Sequence, residues 1–215
     1  MARLTRKESQ ARTRSQLLEA AGKVFADRGL ERATVDQVAG EAGYTKGAFY
    51  ANFSSKEELF LAMLDERFAK RLEEIDRVLE SGASVQDQAR QAGQDFTDYL
   101  RTDPEWSRLF FEFAVQAMRD EEFRQELVAR HRTIRSRIAE AFETHKETIG
   151  GEPPLPAEHV AMMTYAMGDG FALAQILEPE DVPDDMFGTM LAIFFTGLAV
   201  MTREGAAQLG RSVPE

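Results

Sequence analysis

The twenty residues TVDQVAGEAGYTKGAFYANF, 34–53, separate hydrogen-bonding side chains from apolar ones along two short helical periods. Val35, Val38, Ala39 and Ala42 give the first period a small apolar face, and Phe49 and Phe53 do the same for the second. Gly43 stands between them, where the chain must turn sharply. The other side of the second period offers Thr45, Lys46, Gly47, Ala48 and Tyr50. Small residues let a helix approach a groove closely, while an ammonium and a phenol can reach base edges or phosphate oxygens. The chemistry implied is duplex recognition by a helix-turn-helix, not bond making.

Residues suited to catalysis are present without a pattern. His131, His145 and His159 are spaced by 14 residues. Four helical turns span about that length, so His131 and His145 could share a face, but the break GGEPPLP at 150–156 separates His159. There is no HExxH or paired Glu-x-x-His metal signature, no phosphate-cradling glycine loop and no serine nucleophile elbow. Cysteine is absent, which removes disulfides, thiolate ligands and thiol nucleophiles. The carboxylates scatter as on a solvated surface. A helical enzyme is therefore the remote alternative, and no cofactor or metal is expected.

The elements that would position these side chains are all helical, about nine in number. A first helix spans about Arg12 to Arg28, stopped by a left-handed Gly29. Thr34 with Gln37 has capping-box spacing for a second helix, and Thr45 caps a third that reaches Asn52. Ser55 with Glu58 repeats the box and opens a fourth helix, running to about Glu80. A fifth follows over Val85–Arg101, and a sixth begins at Asp103-Pro104. The seventh covers about Asp120 to Thr148, and two apolar helices then flank EPEDVPDD at 178–185.

The net charge of −11 becomes informative once divided. Residues 1–56 hold ten Lys or Arg against six Asp or Glu, a net of +4; residues 57–215 hold sixteen against thirty-one, a net of −15. Phosphate binding follows local cationic density, so the first segment is the candidate. The apolar runs 160–177 and 186–202 approach the ~20 residues of a bilayer span, but Asp169 centres the first. Helices buried on two sides look the same, so no membrane partner is expected. No apolar signal core follows the basic N-terminal residues, in keeping with a cytoplasmic protein.

Over roughly residues 12–60 the chain resembles the tetracycline-repressor (TetR) family. The match runs through Ala20-Ala21, Val24-Phe25 and Gly29, then Thr34-Val35, Val38-Ala39 and Ala42-Gly43-Tyr44. It continues through Thr45-Lys46-Gly47, Phe49-Tyr50, Phe53 and Lys56-Glu57 to Leu59. The resemblance implies an all-α fold: residues 1–56 as arm and DNA-binding domain, 57–215 as a helical ligand-binding and dimerisation domain. It implies that Thr45, Lys46, Gly47 and Tyr50 read the major groove and that Thr34, Tyr44 and Lys56 hold phosphates. Arg3, Arg6, Lys7, Arg12 and Arg14 would add phosphate or minor-groove contacts from an arm. Asn52 departs from the histidine or tyrosine that many members carry there. Read without the family, Tyr44 and Tyr50 can be packing aromatics, and Lys56 can balance Glu57 and Glu58.

The resemblance further implies a homodimer through the last two helices, with Gly168, Gly170, Gly188 and Gly197 permitting close helix approach. Such a dimer would bind double-stranded DNA at a pseudo-palindromic operator. Phe96, Tyr99, Trp106, Phe110, Phe113, His131, Met163 and Met167 are the candidate pocket for a small, largely apolar effector. His131 lies on the apolar line between Leu127 and Ile134, where a satisfied core histidine is the more frequent case than a polar pocket anchor. The resemblance implies a repressor that such an effector releases from its operator; regulation without a small molecule is the alternative, and activation also stays open at this point.

Overall fold

The computed structural model describes residues 5–144, 146, 151 and 154–208, with side chains as far as Thr202. Arg3 of the basic arm, His145, and the parts of the expected seventh helix and following break at 147–150 and 152–153 lie outside the described residues. Among those described there are nine helices and no strand. They are α1 Arg6–Arg32, α2 Val35–Glu41, α3 Lys46–Tyr50, α4 Lys56–Leu79, α5 Val85–Thr102, α6 Pro104–Ala117, α7 Glu121–Thr144, α8 Ala157–Leu177 and α9 Met186–Gln208.

Three boundaries differ from the sequence reading by more than two residues: the end of α7, at Thr144 against an expected Thr148, and both ends of α1, the latter for local reasons. Helix α1 starts at Arg6, six residues before Arg12, because Thr5 and Glu8 form a reciprocal capping box. The Glu8 backbone N–H donates to Thr5 Oγ1 (3.3 Å) and the Thr5 N–H to Glu8 Oε2 (2.7 Å). At its other end the chain breaks at Gly29 (φ 73°, ψ 161°), a backbone state essentially confined to glycine, and one more turn follows to Arg32. The Leu30 N–H, freed by the break, donates to Glu112 Oε2 at 3.4 Å. At α4, Ser55 Oγ accepts from the Glu58 N–H (3.1 Å), but the Glu58 carboxylate turns back one residue further, to Ser54 N (2.6 Å) and Oγ (2.5 Å).

Packing divides the chain into two compact units, residues 1–69 with 105–128, and 70–104 with 129–215. In the first, Phe60 is the hub. Its ring centroid lies 4.4 Å from Phe113, 5.4 Å from Trp106 and 6.4 Å from Phe25, and Arg67 covers the Trp106 ring at 4.3 Å. Leu17, Ala21, Val24, Val38, Leu59 and Leu64 complete this core.

In the second unit α5 lies against α9. Ala89, Gly93, Thr97 and Leu100 form one buried stripe on α5, spaced by four, four and three residues. At the crossing the backbones nearly touch: a Cβ built on Gly93 would sit 2.2 Å from Gly188 Cα and 2.3 Å from its N. Below it Phe96 packs with Phe187 (5.1 Å) and Phe171 (6.4 Å), and Gly168 of α8 leaves the space their rings fill. A second cluster joins Ala139 and Phe142 of α7, Val160 and Ala161 of α8 and Leu198 of α9. Helix α8 is, by length and composition, apolar enough to cross a membrane; Val160, Ala161, Gly168, Phe171 and Ala172 are nonetheless buried against protein.

The Gly93–Gly188 approach gives a direct test. Because the obstacle is backbone, no rotamer change can relieve it, and Gly93→Ala must push α5 from α9. A loss of roughly 2–4 kcal/mol is expected from overpacking, visible as a thermal midpoint several degrees lower. Gly40→Ala, where a Cβ meets nothing within 4 Å, should leave the midpoint unchanged or slightly higher.

Candidate nucleic-acid interface

The reading elements are too short to hold themselves in place, so caps and burial define them. Thr34 caps α2 through a reciprocal box: its Oγ1 accepts from Gln37 N (3.3 Å), and its N–H donates to Gln37 Oε1 (3.0 Å). Val38 and Ala39 bury the inner face. The chain turns at Gly43 (φ 74°), and the Tyr44 N–H closes back onto Ala39 O at 2.8 Å. Thr45 then caps α3, its Oγ1 accepting from Ala48 N at 3.2 Å. Phe49 and Phe53 are fully buried, 5.8 Å apart, which fixes the rotation of α3.

That rotation leaves Thr45, Lys46, Gly47 and Tyr50 together on the exposed side. Tyr50 is 52% exposed, with its ring braced edge-on against Phe49 at 5.5 Å. Lys46 Nζ donates to Asp36 Oδ2 of α2 at 2.9 Å. This hydrogen bond and the charge of Asp36 make the ammonium harder to deprotonate than usual. Asp36 was not legible as a partner, because the two residues lie ten positions apart across a turn whose geometry the sequence does not give.

The other candidate contacts have structural partners. Lys56 Nζ donates to three backbone carbonyls at the end of α1: Leu30 O (2.8 Å), Glu31 O (2.9 Å) and Ala33 O (3.1 Å). All three of its N–H groups are thereby used on carbonyls at the end of α1, which gives it the role of a helix-end pin. Tyr44 is half-buried and its hydroxyl donates to Gln16 Oε1 of α1 at 2.5 Å. Arg14 donates to Asn52 O (3.1 Å) and lies 4.2 Å over the Phe53 ring, while Asn52 Nδ2 donates to Ala48 O (2.9 Å). Arg6, Lys7 and Arg12 stay exposed, on a bonded helix and not on a loose arm.

The eight pocket candidates divide between the compact units. Trp106 and Phe113 are buried against Phe60, and Phe110 meets Phe111 at 5.5 Å, all within the first unit. In the second, Phe96 stacks with Tyr99 at 6.3 Å. His131 of α7 lies 5.1 Å from the ring of Tyr165 of α8, and Arg135 lies 5.9 Å from that ring. Burial, then the charge of Arg135, lowers the His131 pKa to about 4. Burial raises Asp169, one turn beyond Tyr165, to about 6 despite Arg135, and it also raises the Tyr165 phenol. Met167 is half-buried and Met163 exposed. Among the described residues no three His, Asp or Glu converge as metal ligands.

Comparison with known proteins agrees with this geometry. Residues 17–63 match the model of bacterial regulatory proteins of the tetR family, and residues 85–199 match that of the BetI-type transcriptional repressor C-terminal domain. The chain is similar to the HTH-type transcriptional regulator YfiR of Bacillus subtilis, 28% identical over 184 residues, 83% of this chain and 87% of that protein. It is 37% identical over 99 residues to the HTH-type transcriptional activator FasR of Mycolicibacterium smegmatis, covering 46% of this chain and 45% of that one. In structure it resembles the transcriptional regulator FadR of Bacillus subtilis in complex with stearoyl-CoA, with TM-score 0.71 and 15% identity over 85% of this chain and 97% of that one. An exposed reading face on a capped, buried helix-turn-helix, joined to a matching C-terminal helical domain, makes this chain a member of the tetR family of DNA-binding transcriptional regulators.

Proposed function

We propose that this protein is a homodimeric repressor acting in the cytoplasm, released from a pseudo-palindromic operator by a small, largely apolar effector. Residues 1–56 would carry the DNA contacts, and 57–215 the dimer and the effector response. The exposed quartet Thr45, Lys46, Gly47 and Tyr50, oriented by buried Phe49 and Phe53, carries the reading. Thr34 and the start of α1, with Arg6, Lys7 and Arg12, are the candidate phosphate contacts. Lys56 and Tyr44 act behind this surface, by holding α1 to the reading elements. The BetI-type repressor match supports repression.

The dimer rests on the outer faces of α8 and α9. On α8 the exposed positions Met162, Ala166, Gly170, Leu173 and Leu177 repeat every three or four residues, and on α9 Met186, Thr189, Ile193, Gly197 and Val200 do likewise. Leu177 and Ile193 are 69% and 68% exposed, which favours a second apolar surface over water. Gly170 and Gly197 have open space at Cβ and suit close helix approach; Gly188 and Gly168 are spent inside the subunit, against α5 and against Phe96 and Phe187. For the effector, Phe96, Tyr99, Met163 and Met167 would supply apolar surface, and His131, Tyr165 and Asp169 a polar end. Release follows only if the effector binds better to the form that fits DNA worse.

Selection of bound duplexes from a random pool at two salt concentrations tests the central claim. A recovered palindrome is expected; equal retention of all sequences with only a steep salt dependence would mean phosphate attraction without readout. On the recovered duplex, Lys46→Ala or Tyr50→Ala should relax base preference at defined positions, by about 1–3 kcal/mol each. Lys56→Ala should instead lower the thermal midpoint, through loss of roughly 2 kcal/mol of charge-assisted capping, with base preference intact. Ile193→Glu should halve the mass found by light scattering and weaken duplex binding at least roughly a hundredfold; an unchanged dimer would remove α9 from the interface.

Asp169 gives a pH test. Its folded pKa is raised to about 6 from an ordinary 3.8, so its contribution is fully present below about pH 4 and is lost as pH rises through 6. Asp169→Asn removes the buried charge. The variant should melt higher than wild type at pH 7.5, by an amount worth roughly 3 kcal/mol, and the gap should close by pH 4.

A further inference from the structure

We propose that Asp36 is a specificity-determining residue that acts through Lys46, holding the ammonium over the reading face and away from the phosphate backbone. Three observations carry this. The carboxylate sits in the first turn of α2 and the ammonium on the first residue of α3, joined at 2.9 Å, with side chains 67% and 54% exposed. Across residues 34–53 the charged side chains are Asp36, Glu41 and Lys46, so Lys46 is the single cation of the helix-turn-helix and Asp36 neutralises it. Exposed cations stand elsewhere on α1, at Arg6, Lys7 and Arg12 in its first turns and Arg32 at its end, while Arg14 and Lys56 are engaged with backbone carbonyls.

The physical consequence is a separation of attraction from reading. An unpaired lysine beside a duplex is drawn to phosphates, and each such contact strengthens binding to every sequence alike. Paired with Asp36, Lys46 gives up an ion pair to reach a phosphate, and it leaves a carboxylate facing the polyanion. An ammonium carries three donors. With one on Asp36, two remain for the acceptors of a base edge, such as guanine O6 and N7. The pair is thus compatible with base contact and opposed to phosphate contact. In the absence of DNA it adds little stability, as exposed pairs do, so its position on the reading face needs another reason.

The inference rests on the reading face proposed above, and the experiment separates the two. Wild type, Asp36→Asn, Asp36→Glu, Lys46→Ala and the Asp36→Asn/Lys46→Ala double variant are measured against the duplex enriched by wild type and against a random duplex, across a salt series. Asp36→Asn should bind the random duplex at least roughly fivefold tighter at low salt. It should steepen the salt slope by about 0.9, the signature of one added phosphate contact, and reduce the enriched-to-random ratio at least fivefold. Asp36→Glu, which keeps the charge, should behave as wild type. In the Lys46→Ala background, Asp36→Asn should change nothing further. The proposal is overturned if Asp36→Asn alters neither slope nor ratio. It is equally overturned if the change persists without Lys46, since the carboxylate would then act on phosphates alone. A wild type that enriches no duplex would overturn the reading face itself, and this inference with it.

Discussion

Everything functional at the N-terminal end depends on the burial of Phe49 and Phe53. Helix α3 has five residues, well below the length at which a helix persists alone in water. Its hydrogen bonds cannot fix its direction; the two fully buried rings do. Burial of each is worth about 2 kcal/mol or more, and rotating α3 by one position would expose an aromatic and bury Lys46 or Tyr50. The exposure of the reading side chains is therefore the reverse side of a packing requirement. Thr34 and Thr45 satisfy the helix starts, and Lys56 satisfies the end of α1, so the short segments reach this geometry with few backbone groups left unmet.

The second unit is organised by a different limit, the absence of side chains at one point. Gly93 and Gly188 let α5 and α9 meet backbone to backbone, and the rings of Phe96, Phe171 and Phe187 fill the wider space beyond. Drawing α9 onto α5 settles which of its faces is inside: Phe187, Leu191 and Leu198 are buried, and Ile193, Val200 and Met201 are left outside. A helix apolar on nearly all sides cannot leave that outer face in water without cost. The intrachain contact thus generates the surface on which the dimer proposal stands.

Helix identity and most boundaries were legible because their determinants are local. The capping box at Thr34, the Ser55 cap, Pro104 at a first helical position and the breaks at 150–156 and 178–185 are all visible in short windows. The shared exposure of Thr45, Lys46, Gly47 and Tyr50 was legible for the same reason, since helical period alone separates them from Phe49 and Phe53. What the sequence hid were choices of partner over distance. Tyr44 reaches Gln16 and Lys56 reaches Leu30, 28 and 26 residues away, so both looked available for phosphate. Trp106 and Phe113 carried the same aromatic signal as Phe96, and periodicity cannot tell a ring that packs on Phe60 from one that packs on Phe187. Gly188 looked like a dimer glycine until α5 was found against it.

The allocation of cations ties these strands together. A net of +4 over residues 1–56 suggests a uniformly basic module, yet half of its ten cations are committed to partners. Arg14 and Lys56 serve the backbone, Lys23 pairs with Glu19, Arg28 with Asp27 and Lys46 with Asp36. The exposed turns of α1 keep Arg6, Lys7 and Arg12, carried on a helix whose start is fixed by Thr5 and Glu8. Attraction between exposed charges fades within about 10 Å at 0.1 M salt, so a phosphate is sensed close to those turns and not across the acidic body. On the proposed reading face, affinity for any duplex and preference for one duplex would then reside on different residues. Raising the salt concentration weakens the first directly, and it reaches the second only through the residues of α3 that depend on being brought close.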